Sequence, residues 1–257
     1  MLSITLIQSN LFWEDVDQNL KQFESKIDLI SQPTDLIVLP EMFTTGFTMD
    51  PKAYAESHEG KGLNWMQLIA KDKNTALVGS ISIKDRDKFY NRLYWVFPDG
   101  SYKYYDKKHL FSMGNENKKY HAGNSRIIID YKGWKICPLI CYDLRFPVWS
   151  RNTKKNSYDI LIYIANWPAV RAHPWKQLLI ARAIENQCFV IGLNRVGKDI
   201  NKIEHSGDSM VINAKGEIIN QIKINEETEQ TTTINKAELI DFRNTFSVLN
   251  DADDFTI

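Results

Sequence analysis

Residues 3–8 alternate in polarity, the period of a half-buried strand. Between Asp15 and Ser31 the period changes. Val16, Leu20, Phe23, Ile27 and Ile30 recur every three or four positions, which predicts a helix with one buried face that stops at Pro33. Asp35-Leu36-Ile37-Val38-Leu39 then turns continuously apolar, the pattern of a strand covered on both faces. Strand, helix and buried strand in succession open an α/β pattern.

The pattern continues along the chain. A helix is expected over Asn64–Asp72 and a strand over Thr75–Ile83. Phe89–Phe97 alternates and runs through Pro98-Asp99-Gly100, a turn signal, into a second strand from Ser101. Ile127–Tyr131 and Trp134–Ile140 flank a Lys132-Gly133 hairpin turn. Asp159–Ile164 reads as a buried strand, and Pro174–Asn186 as a helix with Leu178, Ile180 and Ile184 available for packing. Cys188–Leu193 reads as another strand. Ser209–Asn213 and Glu217–Ile222 flank a hairpin at Ala214-Lys215-Gly216. The last stretch, 243–257, is polar and expected to be extended. No repeat, linker or low-complexity segment interrupts the pattern, so one domain over 1–257 is expected, of mixed strands with helices outside.

Charge narrows the partners. Lys plus Arg number 32 and Asp plus Glu number 32, a formal net charge of zero. No global field draws the chain to nucleic acid or to an anionic membrane. Lys154-Lys155 is a local exception of the kind found in solvated turns. Met1–Ile7 is too short and polar for a secretion signal, and no apolar run approaches the roughly 18–20 residues of a membrane span. Cys137, Cys141 and Cys188 are an odd number without such a signal. A disulfide framework is not expected, and the reducing cytoplasm is.

Three places set a reactive group directly after a strand, where open α/β sheets gather function. Glu41 follows Leu39-Pro40 and precedes Met42-Phe43-Thr44-Thr45-Gly46-Phe47; a carboxylate partly desolvated among such neighbours suits a general base, or it caps a loop. Cys141 ends the strand Trp134–Ile140, with a helix expected near Pro147. There, following backbone N–H groups could hold an oxyanion and a helix N-terminus could favour the thiolate. The same cysteine also fits a buried structural role, as Cys137 and Cys188 do. Lys107, in Tyr105-Asp106-Lys107-Lys108-His109-Leu110-Phe111, is a solvated loop lysine unless the fold brings it beside a cysteine, where it would stabilise negative charge.

Other chemistries find little support. There is no G-x-S-x-G elbow and no P-loop, and Gly192-Leu193-Asn194-Arg195-Val196-Gly197 is not G-x-G-x-x-G. The histidines His58, His109, His121, His173 and His205 are scattered. Cys137 and Cys141 lack the second pair a zinc site needs, so no metal is expected. A Cys-His pair using His109 stays open.

Taken together and in this order, Leu39-Pro40-Glu41, Tyr105-x-Lys107-x-His109-Leu110-Phe111 and Ile140-Cys141-Tyr142-Asp143-Leu144-Arg145-Phe146-Pro147 resemble the nitrilase superfamily of carbon–nitrogen hydrolases. Tyr90-Asn91-Arg92, Asn166-Trp167-Pro168, Ala181–Asn186 and Asn194-Arg195-Val196-Gly197 are similar to family segments as well, so the resemblance spans nearly the whole chain. Glu41–Phe47 and Cys141–Trp149 look most like the ω-amidase branch.

The resemblance implies a four-layer αββα sandwich and a Glu-Lys-Cys triad, carried onto Glu41, Lys107 and Cys141. The family's lysine stands two positions before the histidine, which selects Lys107 over Lys108. A second glutamate is usual after the lysine, and Glu116 fills that place. The implied reaction needs no cofactor. The implied substrate is the ω-amide of a short dicarboxylic α-keto acid, with the backbone of Tyr142 at the oxyanion, Arg145 on the remote carboxylate, and Phe43, Asn166 and Trp167 around the pocket. Arg145 fits equally an ion pair that holds the turn after Cys141. Another small linear amide such as an N-carbamoyl amino acid, a nitrile, or a catalytically silent binding module on the same fold are the alternatives. The family also implies a homodimer formed through helices near the cysteine and through the 243–257 tail.

Overall fold

A computed structural model describes residues 1–220 and 222–253. β1 (Leu2–Gln8) leads to α1 (Val16–Asp28) and β2 (Leu36–Val38). A short α2 (Pro51–Tyr54) and β3 (Glu56–Ser57) precede α3 (Lys61–Lys73), β4 (Ala76–Asp85), β5 (Lys88–Val96) and β6 (Tyr102–Asp106). α4 (Glu116–Lys119), β7 (Ile129–Tyr131), β8 (Trp134–Ile140), α5 (Pro147–Ser150), β9 (Ile160–Ala165), α6 (Ala172–Asn186) and β10 (Phe189–Asn194) follow. The chain continues through β11 (Val196–Lys198), β12 (Glu204–Ser206), β13 (Met210–Ile212), β14 (Thr228–Ile234) and α7 (Lys236–Thr245). No helix among the described residues is long and apolar enough to cross a membrane.

The strands form two mixed sheets and a small ribbon. The first runs β14-β1-β2-β4-β5-β6, with β3 also on β4; the second runs β13-β10-β9-β8-β7; β11 pairs with β12. Each sheet has a parallel centre, β1-β2-β4 and β8-β9-β10. Alternation along the strands of the first sheet divides its side chains between two faces. The inner face carries Ile4, Leu6, Leu36, Val38, Val78 and Trp95, which pack with the second sheet's Ile136, Ile140 and Ile162. Ile7, Ile37, Leu39, Leu77 and Val96 point the other way, into α1 and α3. α6 covers the far side of the second sheet through Trp175, Leu179 and Ala183. The result is helix, sheet, sheet, helix, the four-layer arrangement the sequence implies.

Local chemistry explains the elements. The Asp15 side chain caps α1 by accepting from Gln18 N–H at 3.0 Å. Leu20, Phe23 and Ile27 form its buried stripe, each contributing about 1.5–3 kcal/mol by leaving water. The β7–β8 hairpin turns on Lys132 and Gly133, both at positive φ, as a tight two-residue hairpin turn requires.

Three expectations need correction. The buried stripe of α6 is Trp175, Leu179, Arg182, Ala183 and Asn186, whereas Leu178 and Ile180 are only partly buried and Ile184 is exposed. The helix is rotated about its axis because Gly192 of β10 leaves room for Leu179 and Trp175 where a side chain would collide. Among the described residues the hairpin after β13 has no second strand: Ile212 and Ile218 share an isolated bridge, and Gln221 lies outside the described residues. The 243–257 stretch is not simply extended. Residues 243–245 complete α7 and Val248–Asp251 form a 3-10 turn, while 254–257 lie outside the described residues.

Candidate active site

The ends of β2, β6, β8 and β9 converge on one side of the two sheets. Cys141 follows β8 directly and has φ of +44°, a left-handed backbone that costs a non-glycine residue on the order of 1–3 kcal/mol. Asp143 steadies the turn by accepting from Ile140 N–H at 3.1 Å. The segment that follows is a 3-10 turn, Cys141–Arg145, and α5 at Pro147 is a single turn. So short a helix offers little dipole to a thiolate. Burial pushes the Cys141 thiol well up, Glu41 and Glu116 push the same way, and Lys107 opposes them. The resting group is therefore a thiol, and the helix N-terminus that could have favoured a thiolate is too short to do so. It is close enough to Glu41 for a side-chain hydrogen bond.

Glu41, Lys107, Glu116 and Asn91 have no exposed surface. Lys107 Nζ donates to Glu41 Oε1 at 2.9 Å and to Glu116 Oε2 at 2.9 Å. Burial works against the ammonium, but the charges of Glu116 and Glu41 outweigh it and hold Lys107 above the usual lysine range, so it stays charged. Burial raises the Glu116 carboxyl, and Lys107 pulls it back only in part. Glu116 is also fixed by Phe111 N–H at 2.6 Å. Lys108, by contrast, lies over the Trp149 ring, so the fold separates the two adjacent lysines.

Two residues without an expected role there complete the holding of the carboxylates. Asn91 Nδ2 donates to Glu41 Oε1 at 2.8 Å and to Glu116 Oε1 at 3.2 Å, while its backbone carbonyl accepts from Lys107 N–H at 3.0 Å. Asn166 gives its N–H to Glu41 Oε2 at 2.8 Å and its side-chain amide to the Glu41 carbonyl at 2.6 Å. Both oxygens of Glu41 are thus oriented by the protein. Asn91 is visible in the sequence only as the middle of Tyr90-Asn91-Arg92, with nothing to show that the β5–β6 pairing sets it beside Lys107.

Cys141 opens into a cavity of about 480 Å³. Of the expected pocket residues, Tyr142, Arg145, Asn166 and Trp167 line it. Phe43 does not. It is fully buried, with its ring centroid 5.6 Å from Phe23 and 5.8 Å from Trp65, in the core under α1 and α3. The tight turn at Met42, at positive φ, aims Glu41 and Phe43 into different layers. His109 is absent from the lining as well; its ring stacks on Phe146 and its Nδ1 meets Asp143, so it does not pair with Cys141.

The cavity wall also holds Arg171, which the sequence does not single out. Arg145 lies 4.9 Å over the Trp167 ring and Arg171 5.4 Å over Phe111. Among the described residues neither guanidinium has a carboxylate or hydrogen-bond acceptor. A cation three positions after Asn166-Trp167-Pro168 is too common to be read from sequence alone.

Comparison with known proteins places the chain in a family. The family model described as carbon-nitrogen hydrolase matches residues 3–244. Omega-amidase YafV of Escherichia coli is 45% identical over 256 residues, which cover 100% of this chain and 98% of the relative. The 2-oxoglutaramate amidase of Bacillus subtilis is 34% identical over 220 residues, 84% of this chain and 85% of its own. Among solved structures, XC1258 of Xanthomonas campestris, a CN-hydrolase superfamily protein with an arsenic adduct in its active site, superposes with a TM-score of 0.96 at 40% identity, over 100% of this chain and 98% of that one. The chain belongs to the carbon–nitrogen hydrolase family, the nitrilase superfamily whose layers and site order its sequence resembles.

Proposed function

We propose that this hydrolase cleaves the ω-amide of a short dicarboxylic α-keto acid, such as 2-oxoglutaramate or 2-oxosuccinamate, through a thioester on Cys141. The observation that carries the reading is the cavity itself. A cysteine beside a buried Glu-Lys-Glu cluster opens into a space whose wall carries two guanidiniums that have ring contacts but no carboxylate or hydrogen-bond acceptor among the described residues. An amide that ends in a carboxylate satisfies both features. The names of the relatives, omega-amidase and 2-oxoglutaramate amidase, support the same substrate class.

In this mechanism Glu41 takes the Cys141 proton as sulfur attacks the amide carbon. The oxyanion is held by the Lys107 ammonium and the Tyr142 N–H, each such donor contributing roughly 3–4 kcal/mol. Glu41 then returns its proton to the amide nitrogen, and ammonia leaves as the thioester forms. Water gives a proton to Glu41 and its oxygen to the thioester carbon. Collapse expels the Cys141 sulfur, which recovers the proton, and the acid is released. Glu116 holds Lys107 alongside Glu41, the two carboxylates being bridged by Asn91, and positions the amine end of the substrate or assists the incoming water. Asn166 and Trp167 shape the pocket, and Arg145 binds the remote carboxylate.

The proposal includes one catalytic domain over 1–257, a homodimer and a cytoplasmic location. Val148 on α5, Ile184 on α6 and Phe246 after α7 are exposed apolar side chains that a second copy would cover. The three cysteines are unpaired, which fits a reducing compartment.

A coupled ammonia-release assay over ω-amides, N-carbamoyl amino acids and nitriles tests the reading. Turnover confined to the carboxylate-bearing ω-amides, lost in Cys141→Ala, is expected. Preference for an N-carbamoyl compound or a nitrile would overturn the substrate, and full activity in Cys141→Ala would overturn the mechanism. No turnover of any kind would favour a silent binding module.

A further inference from the structure

Asp143 is fully buried two residues after Cys141 and does not line the cavity. Its carboxylate is nonetheless completely occupied. Oδ1 accepts from His109 N–H at 3.0 Å and meets His109 Nδ1 at 2.8 Å. Oδ2 accepts from Tyr105 Oη–H at 2.7 Å and from Ile140 N–H at 3.1 Å.

The proton positions in this group follow from the inventory of donors. The Tyr105 hydroxyl accepts from Lys108 N–H at 3.0 Å and from Trp149 Nε1–H at 3.0 Å. Its single proton must therefore go to Asp143. A carboxylate only accepts, so His109 carries a proton on Nδ1. Every neighbour of Asp143 is a donor, and a side chain that mixed donor and acceptor could not replace it without loss.

The connectivity gives the network its meaning. Tyr105 lies next to the end of β6, and Lys108 and His109 begin the loop beyond it, so the arms of Asp143 grip the chain on both sides of Lys107. Ile140 and Asp143 itself grip the chain on both sides of Cys141. The two catalytic segments come from different sheets, and the Asp143 carboxylate bonds to both. We propose that Asp143 is the positioning residue that sets the spacing between Lys107 and Cys141, with Tyr105 and His109 as its arms. The inference rests on the proposed roles of Lys107 and Cys141.

The test compares substitutions that keep size and alter donors. Asp143→Asn sets an amide N–H₂ against one pair of donors. A displacement of about 1 Å is enough to cost roughly 10²-fold in rate. Expected is a fall in kcat of about ten- to a hundredfold with KM nearly unchanged, and alkylation of Cys141 by iodoacetamide moved to higher pH as Lys107 recedes. His109→Asn keeps a donor where Nδ1 stands, and His109→Gln places its amide where Nε2 stands. The first should retain most of the activity and the second should lose it.

Wild-type kcat in Asp143→Asn, or equal activity in the two His109 variants, would overturn the proposal. So would a defect in Asp143→Asn confined to KM. If Asp143→Asn does not fold, the His109 pair decides alone. Full activity in Cys141→Ala would instead bring down the proposed function itself, which keeps the two failures apart.

Discussion

Lys107 Nζ stands 2.9 Å from Glu41 Oε1, and neither side chain has exposed surface. Such a pair is far more sensitive to the loss of one partner than its own net contribution to stability would imply, because the survivor is left charged and dry. Glu116 sits 2.9 Å from the same ammonium, so Lys107→Met leaves two buried carboxylates facing one another. We expect it to cost about 3–5 kcal/mol, read as a lower urea midpoint, together with loss of amide turnover. An unchanged midpoint would refute the view that the ammonium holds the carboxylates together.

Glu41→Gln separates titration from turnover. Glu41 raises the Cys141 thiol, so removing its charge should bring thiol ionisation to lower pH, seen as faster iodoacetamide alkylation under neutral conditions. Turnover of the ω-amide should fall by about 10²–10⁴ because the proton acceptor and donor is gone. Alkylation and turnover falling together would mean that Glu41 acts mainly by holding the site's shape.

The two cavity arginines predict a selective defect. Arg145→Met and Arg171→Met should each raise KM for a carboxylate-bearing amide by about 10-fold or more, the equivalent of one charged hydrogen-bonded contact at roughly 1.5–3 kcal/mol. A neutral amide of the same length should be affected little. Steady-state kinetics on the two substrates decide the matter, and equal effects on both would remove the carboxylate-binding role.

Much of this site is legible without its geometry, for a definite reason. Glu41, Lys107 and Cys141 each follow a strand, and strands announce themselves by period and apolar content. What a strand end meets across the fold is not written in any local pattern. Asn91 reaches the carboxylates only because β5 pairs with β6, and Arg171 joins Arg145 only across the cavity. Phe43 fails as a pocket residue because the backbone reverses at Met42. β14 escapes a sequence reading for another reason: it is an edge strand of Thr, Glu and Gln whose hydroxyls at Thr231 and Thr233 pair with Thr5 and Ser3 of β1. Only Ile234 of that strand is fully buried, so it carries no hydrophobic period to find.

α7 escapes it too, and its attachment yields a prediction about pH. Asp159 Oδ1 accepts from Arg243 at 2.9 Å and Oδ2 from Lys236 at 2.9 Å, which ties both ends of α7 to the second sheet, where Lys135 N–H also binds Asp159 at 3.1 Å. Burial works to raise the Asp159 carboxyl, but Lys236, the Lys135 N–H and Arg243 outweigh it and hold it below its ordinary value of 3.8. A carboxylate lowered on folding contributes stability above its unfolded pKa and loses it as pH falls through the folded one. Asp159→Asn should therefore destabilise the protein by about 1–3 kcal/mol near neutral pH, the cost of leaving charged donors without their acceptor. The gap from the wild type should close as pH drops below about 4, where the wild-type group takes up its own proton. Urea midpoints of both proteins across that range provide the check. A gap that stays constant into acid would show that α7 is held by its apolar contacts, Leu239 foremost, and not by the charge on Asp159.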